Sequence, residues 1–108
     1  MARRPRRTAR RNGPTYIEAN KEGQVGSVYV LDYNLGPYTE LTVYFDTRRW
    51  RLSVSALSLT SGPQSEIVNK DVQGSPVNKP SLQLPFTFDG RSLRAKVFRD
   101  QVYLEEIG

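Results

Sequence analysis

Between Thr39 and Ala56 apolar and polar side chains alternate on either side of a polar break. Leu41, Val43 and Phe45 precede Asp46-Thr47-Arg48-Arg49, and Trp50, Leu52, Val54 and Ala56 follow it. Period-two alternation is what a half-buried strand requires, because successive side chains leave the backbone on opposite faces. The two runs predict an antiparallel hairpin. A two-residue turn at Thr47-Arg48 would set Asp46 opposite Arg49, with Phe45 opposite Trp50, Val43 opposite Leu52 and Leu41 opposite Val54 on one apolar face. The other face would carry Tyr44 opposite Arg51, Thr42 opposite Ser53 and Glu40 opposite Ser55. A one-residue slip would mix the faces, so the pattern is expected to fix the register.

The same logic extends along the chain. Thr15 to Ala19 reads as a short strand, Asn20-Lys21-Glu22-Gly23 as a polar turn, and Ser27 to Tyr33 as a strand rich in β-branched and aromatic residues. Asn34-Leu35-Gly36-Pro37 predicts a turn. The apolar parity changes after Ala56, where Leu57 and Leu59 replace the even positions, and a bulge near Ala56-Leu57 is the expected cause. Residues 61–81 are punctuated by Gly62-Pro63, Gly74, Pro76 and Pro80, and predict a surface loop with one short strand within Glu66–Val72. That segment is alternatively a dock for a neighbouring subunit.

Residues 82–107 predict a three-stranded meander. Asp89-Gly90 is a strong two-residue hairpin signal, since the turn needs positive φ. It pairs Phe86 with Leu93, Leu84 with Ala95 and Leu82 with Val97. A second tight turn at Arg99-Asp100 pairs Val97 with Val102 and Ala95 with Leu104, and sets Arg94 by Glu105 and Lys96 by Tyr103. The expected fold class is all-β: a small antiparallel barrel or sandwich of six or seven strands, with residues 1–13 a flexible basic arm and 14–108 one domain.

Charge changes this picture more than composition does. The net +5 is unevenly placed: Arg3, Arg4, Arg6, Arg7, Arg10 and Arg11 stand in a segment with no acid, whereas residues 13–108 hold ten basic and eleven acidic side chains. The body is close to neutral and the basic character belongs to the arm. Arginine stays charged and forks bidentately onto phosphate oxygens, and a run of arginines binds polyanions by counterion release without reading sequence. With Pro5 set against a helix and no large apolar residue beyond Met1, the arm is expected to be disordered until it meets an anion. A minor-groove hook reading of Arg3-Arg4-Pro5 fails because an arginine stands where such a hook needs glycine.

A second candidate contact is the polar face of the hairpin. There Tyr44 beside Arg49 and Arg51, with Arg48 in the turn, would give an aromatic and guanidinium surface of the kind that stacks single-stranded bases. The alternative is a solvated face in which Asp46 pairs Arg49 and Tyr44 covers Arg51. With no Cys and no His, disulfides, thiolate metal sites and Ser/His or Cys/His catalysis are excluded, and neither metal nor cofactor is expected. Glu105 and Glu106 are adjacent, but on a strand they point to opposite faces and cannot share a substrate. There is neither a membrane-length apolar run nor the apolar core of a secretory signal, so the expected setting is intracellular or within a particle such as a virion.

The arm, Ala-Arg-Arg-Pro-Arg-Arg-Thr-Ala-Arg-Arg, resembles the arginine-rich N-terminal arms of coat and nucleocapsid proteins of small viruses. The resemblance covers residues 1–12 and is one of composition. It implies an arm that neutralises packaged RNA or DNA and a β body that self-associates. The body departs from the eight-stranded viral jelly roll. The expected function is therefore non-catalytic nucleic-acid binding by a homo-oligomer of the viral or phage coat or nucleoprotein kind. The alternative is a protein-interaction module, or a ribosomal or regulatory protein, whose arm serves localisation or contact with ribosomal RNA.

Overall fold

The computed structural model describes residues 15–36, 38–58 and 68–107. They form nine strands in two antiparallel sheets, with no helix among them: β1 (Thr15–Ile17), β2 (Lys21–Val25), β3 (Val28–Gly36), β4 (Thr39–Asp46), β5 (Arg51–Ser58), β6 (Val68–Gln73), β7 (Leu82–Phe88), β8 (Arg91–Phe98) and β9 (Gln101–Glu106). One sheet runs β1-β9-β8-β7 and the other β2-β3-β4-β5-β6. The all-β expectation holds, with more strands than the six or seven expected; of the barrel or sandwich expected, the described residues form two sheets and no closed barrel.

The inward faces share one apolar core. Leu31, Tyr33, Leu41, Val43, Phe45, Leu52 and Val54 come from the five-stranded sheet, and Leu84, Phe86, Phe88, Leu93, Ala95, Val97 and Leu104 from the other. Fully burying an aliphatic or aromatic side chain of this size stabilises by about 1.5–3 kcal/mol, so this layer supplies the main driving force. The chain crosses from one sheet to the other between β1 and β2, where the Asn20 N–H donates to the Asp32 carbonyl at 2.7 Å.

The central hairpin forms with the expected faces but a different register. Asp46 pairs with Arg51, Phe45 with Leu52, Tyr44 with Ser53, Val43 with Val54 and Leu41 with Ala56. The loop is therefore Thr47-Arg48-Arg49-Trp50, two residues longer than predicted. Its cause is local: Asp46 Oδ1 accepts the N–H groups of Arg48 (2.9 Å) and Arg49 (3.3 Å), which turns the chain over these residues. Trp50 then adopts φ 55°, and its indole folds back under the sheet end. There it meets Phe45 edge-on, with centroids 4.8 Å apart, and donates to the Pro80 carbonyl at 2.6 Å.

Other expectations were corrected in the same way. The predicted turn at residues 20–23 is largely strand β2, an edge strand exposed along its whole length. Its ladder with β3 is made by the backbone, so its side chains need no alternation. Strand β3 continues through Asn34 and Leu35 to Gly36, with an irregular register between Tyr33 and Gly36, where a turn was expected. The bulge at Ala56-Leu57 is not present: pairing runs evenly to Thr39 with Ser58, and Leu57 lies partly exposed on the outer face. By contrast, the short strand expected within Glu66–Val72 forms as β6, Val68–Gln73, at the sheet edge against β5, while residues 61–67 of the expected loop lie outside the described residues. The meander matches its prediction pair for pair, including Arg94 with Glu105 and Lys96 with Tyr103. Asp89 (φ 55°), Gly90 (φ 75°) and Arg99 (φ 59°) hold the positive φ that its tight turns demand.

Candidate nucleic-acid interface

The six arm arginines, Arg3, Arg4, Arg6, Arg7, Arg10 and Arg11, lie outside the described residues. The described chain starts at Thr15, opposite Glu106. The remaining candidates, Tyr44, Arg48, Arg49 and Arg51, all lie on or beside the β4–β5 hairpin, and the structure separates them.

Arg48 and Arg49 sit in the turn, both exposed. The turn is tied down from beneath. Ser27 Oγ donates to Asp46 Oδ1 at 3.0 Å, and the Thr47 N–H and hydroxyl both donate to the Ser27 carbonyl, at 2.9 and 3.0 Å. Burial opposes the charge on Asp46. The N–H groups of Arg48 and Arg49, the Ser27 hydroxyl and the Arg49 guanidinium outweigh it and hold the carboxyl below its ordinary value. Arg49 Nε is 3.8 Å from Asp46 Oδ2, the pairing expected for a solvated face. A recess of about 330 Å³ opens here between Ser27, Asp46, Arg48 and Arg49. Of the four candidates, Arg48 and Arg49 are exposed on a turn braced by these hydrogen bonds.

Arg51 does not. It donates to Asp71 Oδ2 on β6 from Nε at 2.8 Å and also from Nη2. Nor does Tyr44 cover it, because the two-residue shift sets Tyr44 opposite Ser53. Tyr44 is exposed on the outer face between Val30 and Ser53, away from the turn. Tyr44 and Arg51 thus share the outer face as diagonal neighbours and not as a facing pair, and Arg51 is engaged by Asp71. The longer loop removes the facing Tyr44–Arg51 pair expected from a two-residue turn.

The cations of β8 are also matched to acids. Arg94 donates to Glu105 Oε1 from Nε (3.0 Å) and Nη2 (2.6 Å), and Lys96 Nζ lies 3.9 Å from Oε2 and 5.6 Å from the Tyr103 ring centroid. Arg91 donates to both oxygens of Glu106 (3.2 and 2.7 Å) and to the Leu35 carbonyl of the other sheet (3.4 Å), which closes one end of the core. The Arg91 hydrogen bonds outweigh burial and hold the Glu106 carboxyl below its ordinary value. Glu105 and Glu106 point to opposite faces, as expected of strand neighbours.

Sequence reasoning missed an aromatic cluster that strand pairing assembles. Strand β1 brings Tyr16 beside Tyr103, with ring centroids 6.2 Å apart and planes tilted by 45°. Both line a cleft of about 370 Å³ between β1 and β9 of one sheet and β2 and β3 of the other, together with Tyr29, Glu22 and Asp100. Tyr16 and Tyr103 stand 87 positions apart in the chain, so no local pattern announces this juxtaposition. Among the described residues no group of acidic, His or Cys side chains is arranged to hold a metal ion, and no helix is long and apolar enough to cross a membrane. No family model matches the chain, and neither a similar curated protein nor a similar solved structure was found.

Proposed function

We propose that this protein is a non-catalytic nucleic-acid-binding protein that grips phosphate with its N-terminal arginines, carried on a self-associating β domain of the coat or nucleoprotein kind. One observation carries the reading. In the described body Arg51, Arg91 and Arg94 on the strands each face a carboxylate of the same fold, so the surplus positive charge is concentrated in an arm without an acid. A solvated domain that balances its own charges, joined to six unbalanced guanidinium groups, is suited to sequence-independent binding of RNA or DNA. Arg48 and Arg49, exposed on a braced turn, are a second phosphate contact. Support for self-association is β2, an edge strand whose backbone is unpaired on one side.

The test is binding to fluorescent single-stranded and duplex oligonucleotides over a salt series, for the full chain and for a chain lacking residues 1–12. Six arm contacts give a log–log slope near −4 on single strands, at about 0.7 per phosphate. The slope falls towards zero without the arm. Slope and affinity that survive the deletion would move the contact to the domain. Absence of binding at low salt in both chains would refute nucleic-acid binding and favour the protein-interaction module.

A further inference from the structure

The cleft lined by Tyr16, Tyr29, Tyr103, Glu22 and Asp100 has no part in the proposed phosphate contact, and its chemistry is of the opposite sign. Neither the Glu22 nor the Asp100 carboxylate makes a hydrogen bond or ion pair with a described residue. Asp46, Asp71, Glu105 and Glu106, by contrast, each accept from an N–H group or a cation. The nearby cations do not supply the missing charge: Lys96 sits over Tyr103 and beside Glu105, and the Arg99 guanidinium stacks on Phe98 at 5.3 Å.

Three tyrosine rings with two unpaired carboxylates match a planar cation. A guanidinium stacks on aromatic faces and is forked by carboxylate oxygens, whereas a phosphate would be repelled by Glu22 and Asp100. The chain supplies such a cation close by. Tyr16 lines the cleft, and Arg10 and Arg11 precede Thr15 by five and four residues. At about 3.3–3.6 Å per residue that is a reach of roughly 13–18 Å before the side chain is counted.

We infer that the Tyr16/Tyr29/Tyr103–Glu22/Asp100 cleft is a guanidinium site, and that its occupant is an arginine of the same chain's own arm. The arm is then stored against the domain when no polyanion is present, and a polyanion has to displace it. The storage contact stands without the nucleic-acid reading and is tested without nucleic acid.

The experiment is NMR on the full chain at low salt, comparing wild type, E22Q, D100N and E40Q. Each substitution removes one charge at an exposed position, and Glu40 lies away from the cleft. Expected are cross-relaxation peaks between arginine Hδ protons of the arm and the rings of Tyr16, Tyr29 or Tyr103. They are weakened in E22Q and D100N and kept in E40Q. If oligonucleotides bind, E22Q and D100N bind them about threefold to tenfold more tightly than E40Q does, as expected when the free arm is a minor population. Ring contacts that persist while oligonucleotides fail to bind still support the cleft and refute only the nucleic-acid reading. The inference is overturned if the arm protons show no ring contact in wild type, or if E22Q and D100N change them no more than E40Q. It is overturned equally if mixed labelled and unlabelled chains show the contact only between molecules.

Discussion

Replacing Arg94 by Ala tests whether the arginines of the meander serve the fold or a ligand. Glu105 is 7% exposed, and Arg94 holds its Oε1 with two hydrogen bonds of 3.0 and 2.6 Å. Removing one partner of a buried pair costs about 3–5 kcal/mol because the other charge stays buried alone, whereas exposed pairs contribute about 0–1 kcal/mol. Two observations place this pair between those limits. The Arg94 side chain is 25% exposed, and Lys96 remains 3.9 Å from Glu105 Oε2 to soften the loss. The expected cost of R94A is about 2–3 kcal/mol, a fall in Tm of roughly 10–20 °C for a domain of this size. Urea titration of wild type, R94A, E105Q and R94A/E105Q measures it. The double variant should recover most of the loss, since Gln removes the stranded charge. Arg51→Ala, at a pair exposed by 42% and 48%, should cost no more than about 1 kcal/mol. The salt slope of oligonucleotide binding should be unchanged in R94A. A stability loss below about 0.5 kcal/mol, or a double variant no better than R94A, would refute a buried structural pair.

Two further perturbations probe the loops that brace the exposed turn. At Gly74 a Cβ would stand 2.9 Å from Pro80 Cγ, 3.0 Å from Leu82 Cδ2 and 3.1 Å from Trp50 Cδ1, so G74A should cost about 1–3 kcal/mol by overpacking. A shift of the Trp50 emission spectrum should accompany it, and an unchanged urea midpoint would show that the contact relaxes freely. Asp46 and Glu106 both have depressed folded-state pKa values. The stability they contribute is fully present above the ordinary carboxylate range near pH 4 and is lost as pH falls through their lower folded values. Tm should therefore fall on acidification below about pH 5, and less steeply in D46N, whose amide carries no charge to lose. Parallel Tm–pH curves for wild type and D46N would contradict this.

The meander was legible because two-residue turns leave no freedom: once Asp89-Gly90 and Arg99-Asp100 are placed, every rung follows. The central hairpin was legible only in its faces. Parity distinguishes a slip of one residue, but a slip of two keeps Leu41, Val43, Phe45, Leu52 and Val54 inward in both registers. What decides between them is the Asp46 side chain capping two N–H groups and the Trp50 indole reaching Pro80, thirty residues away. The error carried into the site, because the Tyr44–Arg51 contact depended on that register. Strand β2 was illegible for another reason. An exposed edge strand buries neither face, so Lys21-Glu22-Gly23-Gln24 carries polar residues without alternation and reads as a turn. The tyrosine cleft needed the β1–β9 pairing, which joins the two ends of the domain.

The charge layout has a consequence for how the two arginine groups act. Thr15, where the arm joins, pairs with Glu106 at the sheet end that Arg91 closes against Leu35. The Arg48-Arg49 turn lies at the other end, beside Trp50 and Pro80. Strand β4 runs eight residues between these ends, about 26 Å at the rise of an extended strand. That is roughly three Debye lengths at physiological salt, so the turn lies outside the screened field of charges held at the root of the arm. If the chain binds nucleic acid as proposed, phosphate contacts made by the arm and by the turn add in the salt slope. A slope near −4 on single strands belongs to the arm alone, whereas one nearer −6 requires Arg48 and Arg49 to touch the same polymer as the arm. The body, with its other sheet arginines paired to carboxylates, has little more to add.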